Sequence, residues 1–470
     1  MTKTFASFSF GCRVNQAEKE MLDRQLLVAG LQYSEKSPSL YIINTCAVTQ
    51  KAEREARQLI YQTKRKWPQI KIVITGCAAT KWINEGIKFP DADWLIDNVN
   101  KEYIAELLLQ KMPKTPGRWP NGLSCKELLQ VKKAGSASVI TPSRSPFGHL
   151  EGVIHNDKFL RSGRLLLKIQ DGCQRFCTFC IVPYLRGQPK SIPIDQLVKT
   201  INKFTYINNY RPETKYINSN KFLKEVILTA INTQAYGFDT GESLIALVIQ
   251  ITKATRIPRI SFGSIHPWSI NNEFFQFYES TLSHNRLVKF FHIPLQSGSN
   301  KILSLMKRGY TREEFIEKLK TLEKIHPLTF IGTDIIVGFL EETDSDFEDT
   351  YNFLKDSPIS KFHVFRFSPR EKTAAYFMKK RLKEPTPAEK NERAKSLIEL
   401  SNKKYHKFLE KHVGITFPAL FLERKIDGHQ EVLLDNQIPT MIKTTKNLTG
   451  EIKIVKINKM TSDKLIGELK

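Results

Sequence analysis

The sequence predicts an α/β protein made of a parallel α/β domain, then a partial (β/α)6 barrel, then a small all-β barrel. Its 470 residues exceed what one hydrophobic core normally serves, so several domains are expected. Short apolar runs alternate with helical stretches as far as about residue 368, which is typical of parallel sheets. Five short strand-like runs follow from about residue 415 and indicate a closed β structure.

The first domain, residues 1–112, combines short strands with helices in a βαβαβ order. Its strand-like runs are 4–10, 40–45 and 70–76, and the helical stretches between them are 16–28 and 51–66. A cysteine follows each strand within two residues, at Cys12, Cys46 and Cys77. Parallel strands bring their carboxyl ends to one edge of the sheet, so these thiols are expected to meet in space. The alternative is three unrelated buried thiols, which are common.

A linker is predicted at residues 113–160, which begin with PKTPGRWPNG and continue as polar, weakly patterned sequence. The barrel domain, residues 161–400, follows, and its six strand-like runs are 164–170, 225–230, 259–265, 290–296, 329–339 and 361–368. Barrel enzymes work at the carboxyl ends of such strands. The polar segment 205–222 is predicted to be a surface insertion, and no role is predicted for Cys125.

The last region, residues 401–470, contains the end of a predicted basic helix at 377–412 and then a small β domain. The strand-like runs are 417–424, 429–435, 440–444, 450–457 and 464–470. Five short strands of this kind are typical of a small closed barrel.

The formal net charge of +24 favours a polyanionic partner, and RNA or DNA is the leading class. A general lysine-rich composition is the alternative explanation. The N-terminus has no apolar run typical of a signal peptide, and no apolar stretch approaches the length of a membrane span. We therefore expect a cytoplasmic protein without membrane contact. In that compartment clustered cysteines bind metal or do chemistry rather than form disulfides.

Three of the seven cysteines lie in the stretch DGCQRFCTFC, at Cys173, Cys177 and Cys180. Thiolates at this C-x3-C-x2-C spacing can each hold one iron of a four-iron, four-sulfur cluster and leave the fourth iron open. A structural zinc site normally closes with four ligands, so a zinc knuckle would need a distant histidine. The loop also ends the first predicted barrel strand, which favours an iron–sulfur site at the working end of a barrel.

This combination resembles the radical S-adenosylmethionine (SAM) enzymes, in which SAM chelates the open iron. Further motifs narrow the resemblance to the methylthiotransferase family, and they occur in that family's order over nearly the whole chain: GCRVNQ, INTCAVT, ITGCAA, CTFCIVPYLRG, HIPLQSGSNKILSLMKRGYT, TDIIVGF and FSPR. The resemblance implies an N-terminal α/β domain, a radical SAM barrel and a C-terminal TRAM domain.

The resemblance also implies SAM and two [4Fe–4S] clusters as cofactors. Cys173, Cys177 and Cys180 match the ligands of the catalytic cluster, and Phe179 matches the aromatic residue beside the adenine of SAM. The strand-end cysteines Cys12, Cys46 and Cys77 match the ligands of a second, auxiliary cluster, which in the family carries or receives the sulfur that is methylated. A radical then removes hydrogen from an adenine carbon, because general-base chemistry cannot open that C–H bond.

Other SAM contacts are expected at the strand ends by position. They are Thr229, Asn232, Ser264, His266, Gln296, Ser297, Gly338, Glu342 and Arg366. The alternative for each is a residue that caps a helix or fills the barrel. The chain departs from the family where Leu340-Glu341 and Glu371-Lys372 each replace a Pro-Gly pair.

The stretch FGCRVNQAE is similar to the branch of the family that acts on N6-threonylcarbamoyladenosine. The expected activity is methylthio transfer to C2 of that base next to the anticodon (position 37) of tRNA. Isopentenyladenosine in tRNA, an aspartate of a ribosomal protein, and a non-catalytic iron–sulfur RNA-binding protein are the alternatives.

The expected partners are the tRNA anticodon loop, an electron donor and a sulfur source, and a monomer is expected. A basic helix offers side chains that would contact phosphates, or else form a solvated face. These side chains are Arg54, Arg57, Lys64, Arg65 and Lys66.

Overall fold

The computed structural model describes residues 4–111 except 88 and 90, and then residues 162–206, 223–280, 286–462 and 464–470. The chain forms two compact units. The first is Met1–Asp157 with Tyr184–Arg186, and the second is Lys158–Pro183 with Gly187–Lys470. The predicted linker at 113–160, Cys125 and most of the predicted insertion at 205–222 lie outside the described residues.

The first unit is built on a parallel sheet with the strand order β2-β1-β3-β4-β5. The strands are β1 Thr4–Ser9, β2 Gln32–Tyr33, β3 Leu40–Thr45, β4 Lys71–Gly76 and β5 Trp94–Leu95. The helices are α1 Arg13–Val28, α2 Gln50–Lys66, α3 Cys77–Asn84 and α4 Ile104–Lys111, with a 3-10 turn at Lys101–Tyr103. The three predicted strands are confirmed, and two short edge strands are added to them.

Burial explains why this sheet forms. The central strands β3 and β4 are buried along most of their length because helices cover both faces, as parallel strands require. Phe5, Leu26, Leu40 and Val73 belong to one apolar core. Helix α2 begins at Thr49, whose hydroxyl accepts a hydrogen bond from the Ala52 amide at 3.1 Å.

The second unit opens with a partial parallel barrel. Its strands are β6 Arg164–Asp171, β7 Lys190–Ser191, β8 Glu225–Ala230, β9 Arg259–Phe262, β10 Phe290–His292, β11 Phe330–Val337 and β12 Lys361–Arg366. The strands form two sheets, with the orders β7-β6-β8-β9 and β10-β11-β12. A parallel bridge between Ile260 and Leu287 links the first sheet to the chain just before β10. The six predicted barrel strands are confirmed, while β7 pairs antiparallel with β6 and was not predicted.

Several barrel strands end earlier than the sequence predicts. Strand β10 stops at His292, and Pro294 just beyond it has no amide hydrogen for the ladder. Strand β11 stops at Val337, since Gly338 adopts φ +71 and turns the chain. The residues after these strand ends therefore belong to loops at the carboxyl edge of the barrel.

The helices of this part of the chain connect the barrel strands and lead to the last domain, and the last three residues of α5 belong to the first unit. They are α5 Val182–Arg186, α6 Ile194–Tyr206, α7 Leu244–Ala254, α8 Asn272–Glu279, α9 Asn300–Leu305, α10 Arg312–Ile325, α11 Asp344–Asp356, α12 Ala374–Met378 and α13 Pro387–Glu410. Short 3-10 turns lie at Thr233–Ala235 and Pro267–Ser269. Thr311, Thr343 and Thr386 each close a capping box, which fixes where α10, α11 and α13 begin.

The C-terminal strands close into a barrel with the order β13-β14-β15-β17-β16, which confirms the predicted all-β domain. They are β13 Thr416–Ile426, β14 His429–Leu434, β15 Pro439–Lys443, β16 Ile452–Thr461 and β17 Lys464–Leu469. Its core includes Phe408 of α13 and Phe330 of β11. Arg259 donates to the carbonyls of Leu433 and Leu434 at 3.0 and 2.6 Å, so the two barrels share buried contacts.

Across the part of the chain that the structure describes, every helix is too short or too polar to cross a membrane.

Candidate metal centres

The strand-end site of the first unit contains Cys12, Cys46 and Cys77. Cys12 immediately precedes α1, Cys46 follows β3, and Cys77 is the first residue of α3. Burial, and then the neighbouring Cys77 thiol, raise the pKa of Cys46 to about 12. Cys12 as a residue is exposed, but desolvation of its thiol raises its pKa, against an opposing effect of Arg186 and with a further rise from Cys77. The three thiols therefore lie within electrostatic range of one another.

Two glycines allow the backbone of this site to close. Gly11 adopts φ +86 and Gly76 adopts φ +94. A Cβ atom at Gly11 would lie 2.6 Å from the Cβ and Sγ atoms of Cys46, and one at Gly76 would lie 2.4 Å from the carbonyl oxygen of Thr45. A side chain at either position would push two of the cysteine-bearing loops apart.

Asparagine side chains hold these loops together. Asn15 Nδ2 donates to the carbonyls of Phe10 and Thr45, both at 2.9 Å. Asn44 Nδ2 donates to the Asn15 carbonyl at 2.7 Å, so the strand ends and the start of α1 form one bonded unit.

A buried arginine lies against one sulfur of the strand-end site. Arg186 Nε lies 3.3 Å from Cys77 Sγ, and its Nη1 lies 3.0 Å from Glu18 Oε1. Lys101 Nζ also contacts Glu18, at 2.5 Å, and Asn98 Nδ2 lies 3.6 Å from Cys77 Sγ. Two cations therefore share one carboxylate beside the thiols, and Arg186 opposes the rise in the pKa of Cys12 and of Cys46. Sequence reasoning gave none of these residues a role, because Arg186 lies 109 positions from Cys77.

The loop site of the second unit contains Cys173, Cys177 and Cys180, directly after β6. The Cys173 amide donates to the Gly187 carbonyl at 3.0 Å, and the Cys180 amide donates to the Cys177 carbonyl at 2.9 Å. Gly172, at φ +75, is required because a Cβ there would lie 2.1 Å from the Gln188 carbonyl oxygen. The loop is thus held by its own backbone and by the chain that follows it.

Two side chains donate to sulfur in the loop site. Arg308 Nη1 lies 3.4 Å from Cys177 Sγ, and Asn232 Nδ2 lies 3.6 Å from Cys173 Sγ. Burial raises the pKa of Cys173 and raises that of Cys180 to about 12. The free thiols of Cys173 and Cys180 are therefore protonated at neutral pH, and ligation would release their protons.

An aromatic and cationic group lies beside the loop site. The Arg175 guanidinium lies 3.5 Å from the centroid of a Trp268 ring, and that of Arg308 lies at 4.9 Å. Burial and then these two guanidiniums lower the pKa of His266 to about 3, so this imidazole is neutral. Its Nδ1 lies 3.3 Å from Thr233 Oγ1, in agreement with a hydrogen-bonded turn histidine.

Most of the other residues predicted to contact SAM lie at the carboxyl edge of the barrel. Thr229 and Asn232 are buried at the end of β8, and Ser264 Oγ donates to the His292 carbonyl at 3.1 Å. Gln296 adopts φ +82 and accepts a backbone bond from Ile336 at 2.8 Å. Ser297 is buried, and its Oγ accepts from the Ser299 amide at 3.2 Å. Asn232 is the member of this set that touches a cysteine of the loop.

The remaining predicted contacts have structural partners of their own. Glu342 is buried, accepts a hydrogen bond from the Gly338 amide, and pairs with Arg393 at 2.9 Å. Burial raises the pKa of Glu342 to about 7 against the opposing effects of that amide and of Arg393. Arg366 is exposed and bonds Asn391 of α13. Phe179 packs against an apolar cluster at the loop site. Direct contact of these residues with SAM stays a prediction.

The two positions at which the resemblance implies the glycine of a Pro-Gly pair keep a glycine-like backbone. Glu341 adopts φ +60 and Lys372 adopts φ +69. The turn is therefore retained by residues that reach this conformation at an energetic cost.

The donor set fits iron–sulfur clusters at both sites. Each site offers three thiols, and at each site a guanidinium and an amide donate hydrogen bonds to sulfur. Hydrogen bonds of this kind to the ligand atoms stabilise thiolate ligands. Within the described ranges, no three His, Cys, Asp or Glu side chains are arranged around a single metal ion. A four-iron cluster instead takes one cysteine at each ligated iron, so three cysteines hold three irons and leave the fourth open.

Two family models match the chain. The uncharacterized protein family UPF0004 matches residues 4–96, which carry the strand-end site. The radical SAM superfamily matches residues 167–354, which carry the loop site.

Curated relatives match nearly the full length. A threonylcarbamoyladenosine tRNA methylthiotransferase MtaB of Aquifex aeolicus is 34% identical over 90% of this chain and 97% of its own. The Bacillus subtilis protein of the same name is 31% identical over 97% of this chain and 94% of its own. A tRNA-2-methylthio-N(6)-dimethylallyladenosine synthase of Petrotoga mobilis is 28% identical over 98% of each. The chain belongs to the threonylcarbamoyladenosine tRNA methylthiotransferase family of radical SAM proteins.

Proposed function

We propose that this protein transfers a methylthio group to C2 of N6-threonylcarbamoyladenosine next to the anticodon of tRNA. The observation that supports this most strongly is the presence of two separate three-cysteine sites in one chain, at strand ends and in one loop. Sulfur insertion needs a site that handles sulfur and a site that opens a C–H bond, and three-cysteine sites leave an iron free for each task.

The loop site would hold the [4Fe–4S] cluster that binds SAM. Cys173, Cys177 and Cys180 would be its ligands, and Phe179 and Asn232 would line the adjoining space. When bound, SAM and this cluster supply the radical that opens an unactivated aromatic C–H bond. The strand-end site would hold the second cluster on Cys12, Cys46 and Cys77, next to Arg186.

The protein's own contribution at the loop site is to hold charge and exclude water. Arg308 is buried, donates to Cys177 Sγ, and is itself fixed by the Tyr310 hydroxyl and the Pro294 carbonyl at 2.9 and 3.0 Å. A fixed cation in a dry site stabilises negative charge without reorganisation. We infer that Arg308 stabilises the ligated thiolates.

The tRNA would be attracted by the net charge of +24 and by part of α2. Arg54, Arg65 and Lys66 are exposed on that helix, and the Tyr61 side chain is 49% exposed among them. The other two predicted phosphate contacts have structural roles. Arg57 lies over Trp82 at 5.0 Å, and Lys64 Nζ donates to the Ile70 carbonyl at 3.0 Å.

An electron donor and a sulfur source complete the reaction, and we propose a monomer that works in the cytoplasm. The relative acting on dimethylallyladenosine makes the isopentenyl-type base the second candidate substrate, at lower sequence identity.

The direct test uses anaerobically reconstituted protein, a reductant, SAM, sulfide and tRNA that carries threonylcarbamoyladenosine. Nucleoside mass spectrometry should show the methylthio derivative, and chromatography should show 5′-deoxyadenosine. Product on isopentenyladenosine tRNA alone would select the second candidate. SAM left uncleaved under these conditions would overturn the enzyme proposal.

A further inference from the structure

Three polar side chains form a group across the last three barrel strands. His292 of β10 pairs with Asp334 of β11, with 3.0 Å between Nε2 and Oδ2. His363 of β12 is the direct strand neighbour of Asp334, and its ring centroid lies 5.8 Å from that of His292. None of the predicted roles uses these residues. We call them the His–Asp–His group.

The group lies on the face of the strands that is not buried in the core. Along β11, Thr333, Ile335 and Val337 are buried, while Asp334 and Ile336 alternate with them and keep partial exposure. Ile336 and Phe179 of the cysteine loop pack against the same apolar cluster. The face that carries Asp334 therefore continues toward the loop site.

The local structure makes room for the His–Asp–His group. Gly332 is the strand neighbour of His292, and a Cβ atom there would lie 3.0 Å from His292 Nδ1. A larger residue would displace the imidazole. On β12, Phe365 follows His363 on the same face, and its side chain is 43% exposed. A flat apolar surface thus adjoins the polar group.

We propose that His292, Asp334 and His363 bind the polar N6 substituent of the substrate adenosine, with Phe365 offering its ring to the base. This inference rests on the proposed function. A threonylcarbamoyl group carries N–H and O–H donors that suit the Asp334 carboxylate, and carbonyl and carboxylate oxygens that suit imidazole N–H groups. An isopentenyl group offers neither, so its binding would cover these polar side chains without giving them a hydrogen bond in return.

The state of His363 fits this role. Burial, and then His292, lower its pKa, while Asp334 acts in the opposite direction. A neutral imidazole donates one hydrogen bond and accepts another, and it therefore reads a substituent that has both kinds of group.

The test compares two anticodon stem-loops of one sequence, with threonylcarbamoyladenosine or plain adenosine at the modified position. Binding is measured by fluorescence anisotropy. For each variant, the Kd for the plain adenosine loop divided by the Kd for the threonylcarbamoyl loop gives its discrimination ratio. We expect His363→Leu to lower that ratio by about 10- to 100-fold, because the hydrogen bond between the imidazole and the bound N6 substituent is lost. His363→Gln keeps a donor and an acceptor and should retain more of the ratio. His406→Leu, an exposed histidine of α13, is the matched control and should not change it.

The outcomes separate the two proposals. If the wild type does not prefer the threonylcarbamoyl loop, the proposed function fails, whatever the variant does. If the wild type prefers it and His363→Leu keeps the full ratio, the proposed function stands and the assignment of the His–Asp–His group is overturned. If His363→Leu weakened the binding of both stem-loops equally, the assignment would also be overturned, because the lost affinity would not depend on the N6 substituent.

Discussion

The two cysteine sites reach the same ligand set by opposite routes. The strand-end site brings Cys12, Cys46 and Cys77 together from three strands of a parallel sheet, so it exists only when the whole unit is folded. The loop site places Cys173, Cys177 and Cys180 within eight consecutive residues, held by the backbone of one loop. The first depends on tertiary structure and the second largely on local structure.

The two sites also differ in how far nearby groups cancel the positive charge beside the sulfur atoms. Each has one arginine and one asparagine that donate to sulfur, but Arg186 and Asn98 both contact Cys77, whereas Arg308 and Asn232 contact different cysteines. Arg186 and Lys101 share the Glu18 carboxylate, which cancels one of their two positive charges. Arg308 is held by a carbonyl, a phenol and aromatic rings, and Arg175 by the Gln234 amide and the Trp268 ring, so these contacts cancel neither charge. The loop site should therefore stabilise an added electron more strongly.

The largest expected effect separates the tasks of the two sites. Cys177→Ala should lower 5′-deoxyadenosine formation by more than about 100-fold, because loss of a ligand exceeds the loss expected for an outer contact. Cys46→Ala should abolish the methylthio product while some SAM cleavage persists. Chromatography of 5′-deoxyadenosine and nucleoside mass spectrometry measure the two losses in the same reaction. Equal loss of both products in both variants would show that the sites do not have separate tasks.

The next prediction concerns Arg186, the arginine that contacts a carboxylate. Arg186→Gln removes one of the cations that contact the buried Glu18 carboxylate and should cost about 2 kcal/mol of unfolding free energy, as the loss of a hydrogen bond to a buried charged group does. Urea denaturation of the cluster-free protein measures it. Arg54→Gln, on the exposed face of α2, is the control and should change stability by less than about 0.5 kcal/mol.

Arg308→Gln should act on the reduction potential instead. Removal of an uncancelled cation beside Cys177 should make the potential of the loop cluster more negative by about 60 mV, equivalent to a tenfold change for one electron. A titration followed by electron paramagnetic resonance measures this potential. An unchanged value in Arg308→Gln, or an equal shift for both arginines, would contradict the proposed electrostatic difference.

The asparagines should give a smaller and more local effect. Asn98→Ala and Asn232→Ala each remove one amide donor to sulfur, and each should speed iron release from its own site by roughly tenfold. Release to a coloured chelator measures the rate. Asn232→Asp, which sets a carboxylate beside a thiolate, should release iron faster than Asn232→Ala. The reverse order would show that the amide acts by packing alone.

The smallest effect tests the backbone near the loop site. Lys372→Gly should stabilise the protein by about 1 kcal/mol, since Lys372 holds φ +69 at a cost that glycine avoids. Glu371→Gly is the matched control, because Glu371 itself lacks a positive φ, and glycine at that position should destabilise the protein by a similar amount. Thermal denaturation of both variants checks the difference in sign.

Much of this fold could be predicted from the sequence, for physical reasons. Buried parallel strands such as β3 and β4 are continuous apolar runs, and a cysteine after each strand of the first sheet has a fixed place at its carboxyl edge. The edge strands β2 and β5 were missed because two residues are too few to form a pattern. The pattern over 300–325 predicts a single helix, but the structure has two, α9 and α10, because Lys307 and Gly309 between them adopt positive φ.

The contacts to sulfur could not be predicted in this way. Arg308 lies 131 positions from Cys177, and Asn232 lies 59 positions from Cys173, so no local spacing marks them. Likewise the His–Asp–His group is assembled from three strands and depends on their register. Signals of this kind are three-dimensional, and a basic or polar residue near a strand end is the most that the sequence shows.

The most direct measurement is Mössbauer spectroscopy of the anaerobically reconstituted protein, together with its iron and sulfide content. The account predicts about eight irons per chain, in two [4Fe–4S] clusters, with one of them lost in Cys46→Ala and the other in Cys177→Ala. A single cluster in the wild type, or zinc in place of iron at either site, would contradict it.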